Sequence, residues 1–263
     1  MGIVNVTPDS FSDGGRYADA KNAVDHGLVL IEAGADCLDI GGESTRPGAQ
    51  PVSAQQEMDR VLPVIEDLAA KTSLPLSIDT MKPDVARAAV TAGAGMWNDV
   101  SALRGAGDAP EVAAELGVPV VLMHMKGGPG TMQDAPRYDD VVSEVIAFLC
   151  ARRDAALKAG VHKSNIIVDP GIGFGKRVQD NLALLAALPR IMAQTGCPVL
   201  VGASRKRFVE KLDPGAAPDA RLGGSLAAML WAAQTGASIV RVHDVRESAQ
   251  ALKIWRAIAG AGS

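Results

Sequence analysis

Short apolar runs alternate with longer amphipathic segments along almost the whole chain. Eight of the short runs predict β-strands, at 3–6, 37–40, 75–78, 95–97, 118–123, 166–168, 198–201 and 239–242. Six longer segments have the period of an α-helix, at 19–33, 54–70, 84–92, 138–159, 180–195 and 223–235. Glycines stand where helices should end, at Gly34, Gly93, Gly117, Gly160, Gly196 and Gly236. The pattern therefore predicts a repeated strand and helix order.

The strand-like runs are apolar at nearly every position rather than at every second one. Such runs are typical of strands that are buried on both faces, as in a parallel sheet covered by helices. Eight such units in 263 residues predict one domain over residues 1–263, a closed (β/α)8 TIM barrel with long loops after strands 1 and 2. A doubly wound open sheet is the alternative that this pattern leaves open.

Polar residues follow every predicted strand. They are Asn5, Asp39, Asp79, Asn98 with Asp99, His124, Asp169, Ser204 with Lys206, and Arg241 with His243. Any one Asp or Asn in such a place could simply cap the next helix or form a turn. Lys206, Arg241 and His243 are not capping residues, and the strand ends of a barrel converge on one mouth. We therefore expect the functional site at that mouth.

The residue types at the strand ends indicate a ligand with two kinds of surface. Asp79, Asn98 and Asp169 lie just beyond buried strands, where a carboxylate or carboxamide must find hydrogen-bond donors. A flat heterocycle with amino and ring N–H groups would supply those donors. Arg241 and Lys206 carry positive charge, and barrels of this type often bind phosphate near the last two strands. The pattern thus predicts a heterocycle that bears phosphate.

Composition and charge narrow the class of protein. The net charge of −4 argues against a surface built for nucleic acid, and no apolar run approaches the roughly 20 residues that span a membrane. Residues 1–15 lack the features of a secretory signal, so the cytoplasm is the expected location. Cys37, Cys150 and Cys197 are odd in number and widely spaced, which predicts buried free thiols rather than disulfides or a zinc site.

The sequence excludes two phosphate-binding motifs and a tight transition-metal site. The segment 171–176, GIGFGK, resembles a nucleoside triphosphate loop, but its lysine comes too early and Arg177 stands where Ser or Thr is required. No Rossmann glycine fingerprint follows the first strand, and no His or Cys spacing predicts a tight transition-metal site.

Eight blocks of sequence resemble the dihydropteroate synthases, a family of pterin-binding enzymes, in order and over nearly the whole chain. They are GIVNVTPDSFSDGG, DIGGESTRPGA, SIDT, NDVS, LMHMKGGPGTMQ, DPGIGFGK, GASRKRF and RVHDV. The resemblance implies condensation of 6-hydroxymethyl-7,8-dihydropterin diphosphate with 4-aminobenzoate. The products would be 7,8-dihydropteroate, for folate biosynthesis, and pyrophosphate, and Mg²⁺ would assist the leaving group.

The resemblance also implies a role for individual residues. The pterin would be bound by Asp79, Asn98, Met123, Asp169 and Lys206. The diphosphate would be bound by Asn5, Arg46, Arg241 and His243, with Asn5 also the metal ligand. The 4-aminobenzoate would be bound by Phe11, Thr45, Pro47, Phe174, Ser204 and Lys206, with Phe11 closing over it from the first loop. The residues implied to be catalytic are Asp79, Lys206, Arg241 and His243.

Further expectations follow from the same resemblance. They include inhibition by sulfonamides and a homodimer formed through outer helices near the C-terminal part of the barrel. Members of the family usually carry a short segment before the first strand, whereas Met1 here stands almost inside it, so reduced stability is expected. The two alternatives are a methyltransferase that uses methyltetrahydrofolate and a pterin-binding barrel without turnover. The combined TRPGA and SRK blocks and Arg241 favour the synthase.

Overall fold

Eight short parallel strands form the centre of the molecule in the computed structural model. The structure describes residues 1–6, 15–44, 50–127 and 136–261, without side chains for 15–18. The strands are β1 (Gly2–Asn5), β2 (Leu38–Gly41), β3 (Leu76–Asp79), β4 (Met96–Asp99), β5 (Val120–Met123), β6 (Ile166–Asp169), β7 (Leu200–Val201) and β8 (Ile239–Val240). Each predicted strand is therefore confirmed.

The strands close into a ring. Strands β1 to β6 pair in sequence order, and β7 pairs with β8. A bridge between Val168 and Val199 joins the two sheets on one side, and a bridge between Gly2 and Val242 joins them on the other. The Ile3 N–H also donates to the Val242 carbonyl at 3.1 Å. This confirms the (β/α)8 TIM barrel over the open sheet.

Helices follow the strands and surround the ring. They are α1 (Gly15–Glu32), α2 (Ala54–Lys71), α3 (Pro83–Thr91), α4 (Ala109–Leu116), α5 (Val141–Ala159), α6 (Val178–Ala186), α7 (Leu188–Thr195), α8 (Arg207–Leu212), α9 (Leu222–Gln234) and α10 (Val245–Ala261). Short 3₁₀ turns lie at Lys163–Asn165 and Pro218–Arg221. The predicted helix 180–195 is two helices, because Pro189 starts a new one. Helices α4, α8 and α10 were not among the segments named from the sequence, although Gly117 was predicted to end a helix where α4 ends.

Local sequence explains several helix ends. Ser53 forms a capping box with Gln56 at the start of α2, and the Asp140 carboxylate accepts two backbone N–H groups at the start of α5. All six glycines that were predicted to end helices have positive φ. A residue without Cβ takes that conformation without strain, so the chain turns there toward the next strand.

The apolar core has two layers. Outward-facing strand residues pack against the helices in one cluster that runs from Val4 to Val245. A smaller cluster of Met1, Val121, Ile167 and Leu200 comes from alternate strand positions, which point into the ring. This inner cluster fills the barrel beneath the mouth.

The burial of the cysteines agrees in part with the sequence analysis. All three cysteines are free, but only Cys197 is fully buried, whereas Cys37 and Cys150 are half-buried. None of the helices in the described ranges is both long and apolar enough to cross a membrane.

Candidate active site

Strand register brings the predicted polar residues together at the mouth. Gly41 pairs with Asp79, Asp79 pairs with Asn98, and Met123 pairs with Asp169, each at the end of its strand. Because side chains alternate along a strand, the inward residues of neighbouring strands lie in one layer. Asp39 pairs with Ser77, two residues before Asp79, and therefore lies one layer deeper.

A single arginine joins two of these carboxylates. The Arg241 Nε donates to Asp39 Oδ2 at 2.6 Å, and Nη2 donates to Asp79 Oδ2 at 2.8 Å. Asn98 Nδ2 donates to the same oxygen of Asp39 at 2.9 Å. Asp39 is fully buried, and its other oxygen, Oδ1, has no partner in the described part of the chain. Asp39 therefore holds both Arg241 and Asn98.

The environment of Asp79 and Asp169 opposes their ionisation. Burial raises the pKa of Asp79 to about 7, against the opposing effect of Arg241 and with a further increase from the charge of Asp39. Burial likewise raises the pKa of Asp169 to about 6, opposed by a hydrogen bond from the Gly171 N–H and by Lys206. Carboxylates with raised pKa values in a cleft are typical of functional sites. Here they are acceptors that await donors from a ligand.

Asp99 has a structural role instead. Its Oδ1 accepts from the Ser101 N–H and its Oδ2 from the Leu103 N–H, both at 2.7 Å. These bonds hold a turn in which Ala102 and Leu103 have positive φ. Burial raises the pKa of Asp99 to about 6 although these bonds lower it. The plainer explanation from the sequence, a turn-forming acid, is correct for this residue.

Lys206 and Phe174 lie together at the mouth, in the segments that follow β7 and β6. Lys206 Nζ lies 4.1 Å from the centre of the Phe174 ring, a distance at which a cation is attracted to the aromatic face. Burial lowers the pKa of Lys206 to about 8, with Arg241 acting in the same direction and Asp169 opposing. Gly173 packs against the Lys206 stem so closely that a Cβ would lie 3.0 Å from Cδ. The loop after β6 therefore shapes the position of Lys206.

Ser204 and His243 are paired. Ser204 Oγ lies 3.1 Å from His243 Nδ1 and accepts from the His243 backbone N–H at 3.2 Å. Burial lowers the pKa of His243 to about 4, with Arg241 acting in the same direction. The imidazole is thus neutral at pH 7 and can act as a hydrogen-bond donor through its protonated nitrogen.

An apolar cluster lies beside Phe174 at the mouth. Met123, Met125 and Val100 are buried together, with Met81 and Phe174 packed against them. Met123 therefore lies close to Phe174 and ends β5, while its role in binding stays a prediction.

The half-buried Asn5 ends β1 in register with Gly41. Within the described ranges, no group of three or more His, Cys, Asp or Glu side chains is placed to hold a metal. Phe11, Thr45, Arg46 and Pro47 lie outside the described residues.

The segment after β2 is fixed at both of its described ends by one side chain. Glu43 Oε1 accepts from the Val52 N–H at 3.1 Å, and Oε2 accepts from Lys82 Nζ at 2.7 Å. Lys82 also donates at 2.6 Å to Glu57, which is fully buried on α2. Glu43 and Val52 are thus held to each other, and Lys82 connects them to α2.

Two contributors were missed by the sequence analysis. Asp39 was noticed at a strand end but given no role, although it holds Arg241 and Asn98. Lys176 was discarded with the phosphate motif, although it is buried and contacts His124 at 3.0 Å. An isolated aspartate in a strand and a lysine after glycines were the available signals. Neither identifies partners that are distant in sequence.

The barrel, with its acids, carboxamide and cations gathered at one mouth, fits the class of pterin-binding enzymes. The model of the family described as "Pterin binding enzyme" matches residues 1–243. The dihydropteroate synthase of Escherichia coli K12 is 47% identical over 257 residues, which cover 98% of this chain and 90% of that protein. The chain belongs to the dihydropteroate synthase family.

Solved structures agree with this assignment. The Xanthomonas albilineans dihydropteroate synthase with 4-aminobenzoic acid superposes with a TM-score of 0.93 at 57% identity, covering 98% of this chain and 92% of that one. The enzyme of the same organism in complex with 7,8-dihydropteroate has a TM-score of 0.89 at 54% identity, with coverage of 98% and 92%.

Proposed function

We propose that this chain condenses 6-hydroxymethyl-7,8-dihydropterin diphosphate with 4-aminobenzoate, giving 7,8-dihydropteroate and pyrophosphate. The relatives are dihydropteroate synthases, and related structures hold 4-aminobenzoic acid or dihydropteroate. The observation that carries the proposal for this chain is the mouth itself, where Asp79, Asn98 and Asp169 end neighbouring parts of the barrel and Lys206 interacts electrostatically with both acids.

The pterin ring occupies the acceptor side in this proposal. Asp79 and Asp169 accept from the amino and ring N–H groups, and Asn98 uses its free oxygen because its Nδ2 is bound to Asp39. Met123 packs against the ring and Lys206 donates to a ring acceptor. Ligand N–H groups would then offset the cost of burying these carboxylates.

The diphosphate lies near Arg241 and His243. Two of the five Arg241 N–H groups, on Nε and Nη2, are bound to the acids, so the N–H groups of Nη1 and the second N–H of Nη2 can donate to a phosphate oxygen. His243, neutral at pH 7, donates a hydrogen bond. Asn5 and Arg46 complete this group, although Arg46 lies outside the described residues.

A magnesium ion fits the donor set as a partner of the diphosphate. Mg²⁺ usually keeps several waters and takes one or two protein oxygens together with substrate phosphates. Asn5 offers one carboxamide oxygen at the end of β1, which suits that pattern. When bound, the ion would neutralise charge that develops on the leaving pyrophosphate.

The aminobenzoate subsite lies beside Phe174, Ser204 and the stem of Lys206. Phe174 and Lys206 are already in contact, and Ser204 is held by His243. Phe11, Thr45 and Pro47 belong to the same proposal but lie outside the described residues. Sulfonamides, which resemble 4-aminobenzoate, should compete for this subsite.

The reaction requires no covalent intermediate with the protein. The bond between the pterin methylene carbon and the diphosphate oxygen breaks, and pyrophosphate leaves with the electron pair. The aniline nitrogen then bonds to that carbon and loses one proton. Arg241 and His243 stabilise the departing anion, and the Asp79 carboxylate stabilises positive charge on the pterin. A ¹³C isotope effect at the methylene carbon typical of a tight displacement would contradict early bond breaking.

Turnover of purified protein tests the proposal. Pyrophosphate release is measured with the pterin diphosphate and Mg²⁺, with and without 4-aminobenzoate, and dihydropteroate is detected by mass. Product that depends on 4-aminobenzoate is the expected result. Pterin binding without product would favour a binding protein, and methyl transfer from methyltetrahydrofolate would favour the related methyltransferase.

We also propose one domain over residues 1–263, assembled as a homodimer. The contiguous core from Val4 to Val245 supports the single domain. An apolar groove of about 490 Å³ lies between α6, α8 and α9. Leu182, Leu212 and Trp231 at this groove are exposed, which supports burial against a second copy.

Sedimentation of a Trp231→Arg variant tests the dimer. The variant should be monomeric if the groove forms the interface, because an arginine cannot be buried there without a partner. A Val29→Arg variant on α1 is the matched control, since Val29 is similarly exposed on another face. A wild-type protein that sediments as a monomer would contradict the proposal.

A further inference from the structure

Lys176 is a buried lysine whose amine is enclosed by three acceptors. Its Nζ lies 3.0 Å from the Phe174 carbonyl, 3.2 Å from the His124 carbonyl and 3.0 Å from His124 Nδ1. Only 5% of the residue is exposed. A lysine is buried to this extent only when its hydrogen bonds are satisfied, and no role in binding or chemistry has been assigned to it so far.

The three contacts join two neighbouring strand ends. His124 directly follows β5, and its ring packs edge-on against Phe148 with centroids 4.9 Å apart. Phe174 belongs to the loop after β6, residues 170–177, which we call the β6 loop. Lys176 therefore fixes the β6 loop to a strand end that is itself held by packing.

Glycines allow the β6 loop to approach this strand end closely. Gly171 has φ 69°, and a Cβ there would lie 1.9 Å from the His124 carbonyl oxygen. Gly175 has φ 64°, and a Cβ there would lie 2.5 Å from the Lys126 carbonyl oxygen. Only glycine fits at these positions, so the glycines of the GIGFGK segment bring the loop against β5 rather than around a phosphate.

The far side of the β6 loop forms the wall beside Lys206. Phe174 lies under the Lys206 ammonium at 4.1 Å, and Gly173 contacts the Lys206 stem. We propose that Lys176 is a positioning residue that fixes the Phe174 main chain, and through it the Phe174 ring and Lys206, for binding of 4-aminobenzoate. This inference rests on the proposed function for the identity of the ligand.

The contact persists when the lysine loses a proton. Burial lowers the pKa of Lys176 to about 7, and the charge of Asp169 opposes this shift. A neutral amine keeps two N–H donors, enough for the two carbonyls, and can accept from an imidazole N–H. Burial also lowers the pKa of His124 to about 3, so its ring is neutral and suits either partner. The contacts of Lys176 therefore depend on the N–H groups of its amine more than on its charge.

Substitution with Met separates positioning from general stability. Lys176→Met keeps the length and apolar stem but removes every donor, so the Phe174 carbonyl loses its hydrogen bond and only the bond from the Phe174 N–H to the Gly171 carbonyl remains. We expect KM for 4-aminobenzoate to rise about tenfold and KM for the pterin diphosphate to change less than about twofold. Lys176→Gln, which retains an NH₂ donor, should lie between wild type and Lys176→Met and serves if the Met variant does not fold.

Tyr138→Phe is the matched control. Tyr138 Oη donates to the Gly175 carbonyl at 2.7 Å, so it anchors the same loop from another side without contacting Phe174. Both KM values of this variant should stay near wild type. Equal increases in the two KM values for Lys176→Met, or a similar rise for Tyr138→Phe, would overturn the assignment.

A spectroscopic measurement decides the inference without turnover. The chain has four phenylalanines, so ¹⁹F NMR of protein labelled with 4-fluorophenylalanine gives few signals, which single substitutions assign. Lys176→Met should shift or broaden the Phe174 signal and leave the Phe208 signal unchanged. An unaltered Phe174 signal would contradict the proposal. Absence of dihydropteroate from wild-type protein would instead contradict the proposed function, and the NMR result would still stand.

Discussion

The acceptors and the donors of the site are held by different parts of the barrel. Asp39, Asp79, Asn98 and Asp169 lie inside strands of four residues. Three of these strands are paired on both sides, and β6 is paired with β5 and bridged at Val168 to Val199. The cationic and donor residues follow the two-residue strands β7 and β8, in loops or at a helix start. Backbone hydrogen bonds also reach Arg241, but its side chain is held by ion pairs with Asp39 and Asp79. The ring side thus depends mainly on strand pairing, and the anion side depends on ion pairs as well.

The substitution that should have the largest effect on this difference removes the Arg241 side chain. In Arg241→Ala the buried Asp39 and the neighbouring Asp79 lose their shared cation, so we expect a loss of about 3–5 kcal/mol in unfolding free energy. Urea denaturation measures it. Lys71→Ala, which breaks an exposed pair with Asp67, should cost less than about 0.5 kcal/mol. A loss below about 1 kcal/mol for Arg241→Ala would show that the acids need no cation.

A smaller effect on the free energy of unfolding is expected from the ionisation of Asp79. Its folded pKa, about 7, lies above its ordinary value of 3.8, so the stability that its protonation provides is lost as pH rises from about 4 through 7. The stability of wild type relative to Asp79→Asn should therefore fall over that range, by at most about 1.4 kcal/mol per pH unit. Thermal or urea unfolding at a series of pH values checks this.

Asp140 provides the comparison of opposite sign. Hydrogen bonds from Ser143 lower the pKa of Asp140, so the stability that its ionisation provides is lost as pH falls through the folded pKa. Wild type relative to Asp140→Asn should become more stable with rising pH in the acid range. The same slope for both variants would contradict the assigned environments.

The smallest effect concerns the donor side. Ser204→Ala removes the hydroxyl that positions His243, and we expect kcat/KM to fall about fivefold with stability changed by about 1 kcal/mol. Ser164→Ala is a matched control, because Ser164 Oγ lies 2.7 Å from Nδ1 of the exposed His162. Steady-state kinetics of both variants give the comparison. Unchanged kinetics for Ser204→Ala would show that the loop alone positions His243.

The strands and their polar ends could be predicted from the sequence because both depend on local order. The period of apolar residues located all eight strands, and register then brought Asp79 and Asn98 together without further information. The break at Pro189 was missed because the apolar period continues across it. A proline or a glycine in the sequence is compatible with more than one local structure. Tertiary packing then selects one of them.

The partners of the charged residues could not be predicted. Arg241 lies 202 residues from Asp39 and 162 from Asp79, so no local pattern joins them. Lys176 was judged against a phosphate motif, whereas its acceptors are main-chain carbonyls, one of them 52 residues away. Carbonyls have no sequence signature. Whether a charged side chain is buried can be known only once the fold is known.

The Glu43 contacts have a consequence for how this protein can change over generations. One carboxylate fixes residues 43 and 52, and Lys82 connects it to a buried glutamate on α2. Insertions or deletions between those ends would leave the strand and the helix in place, since the base of the segment closes on itself. The number of residues between 43 and 52 can therefore change over generations at little expense to folding.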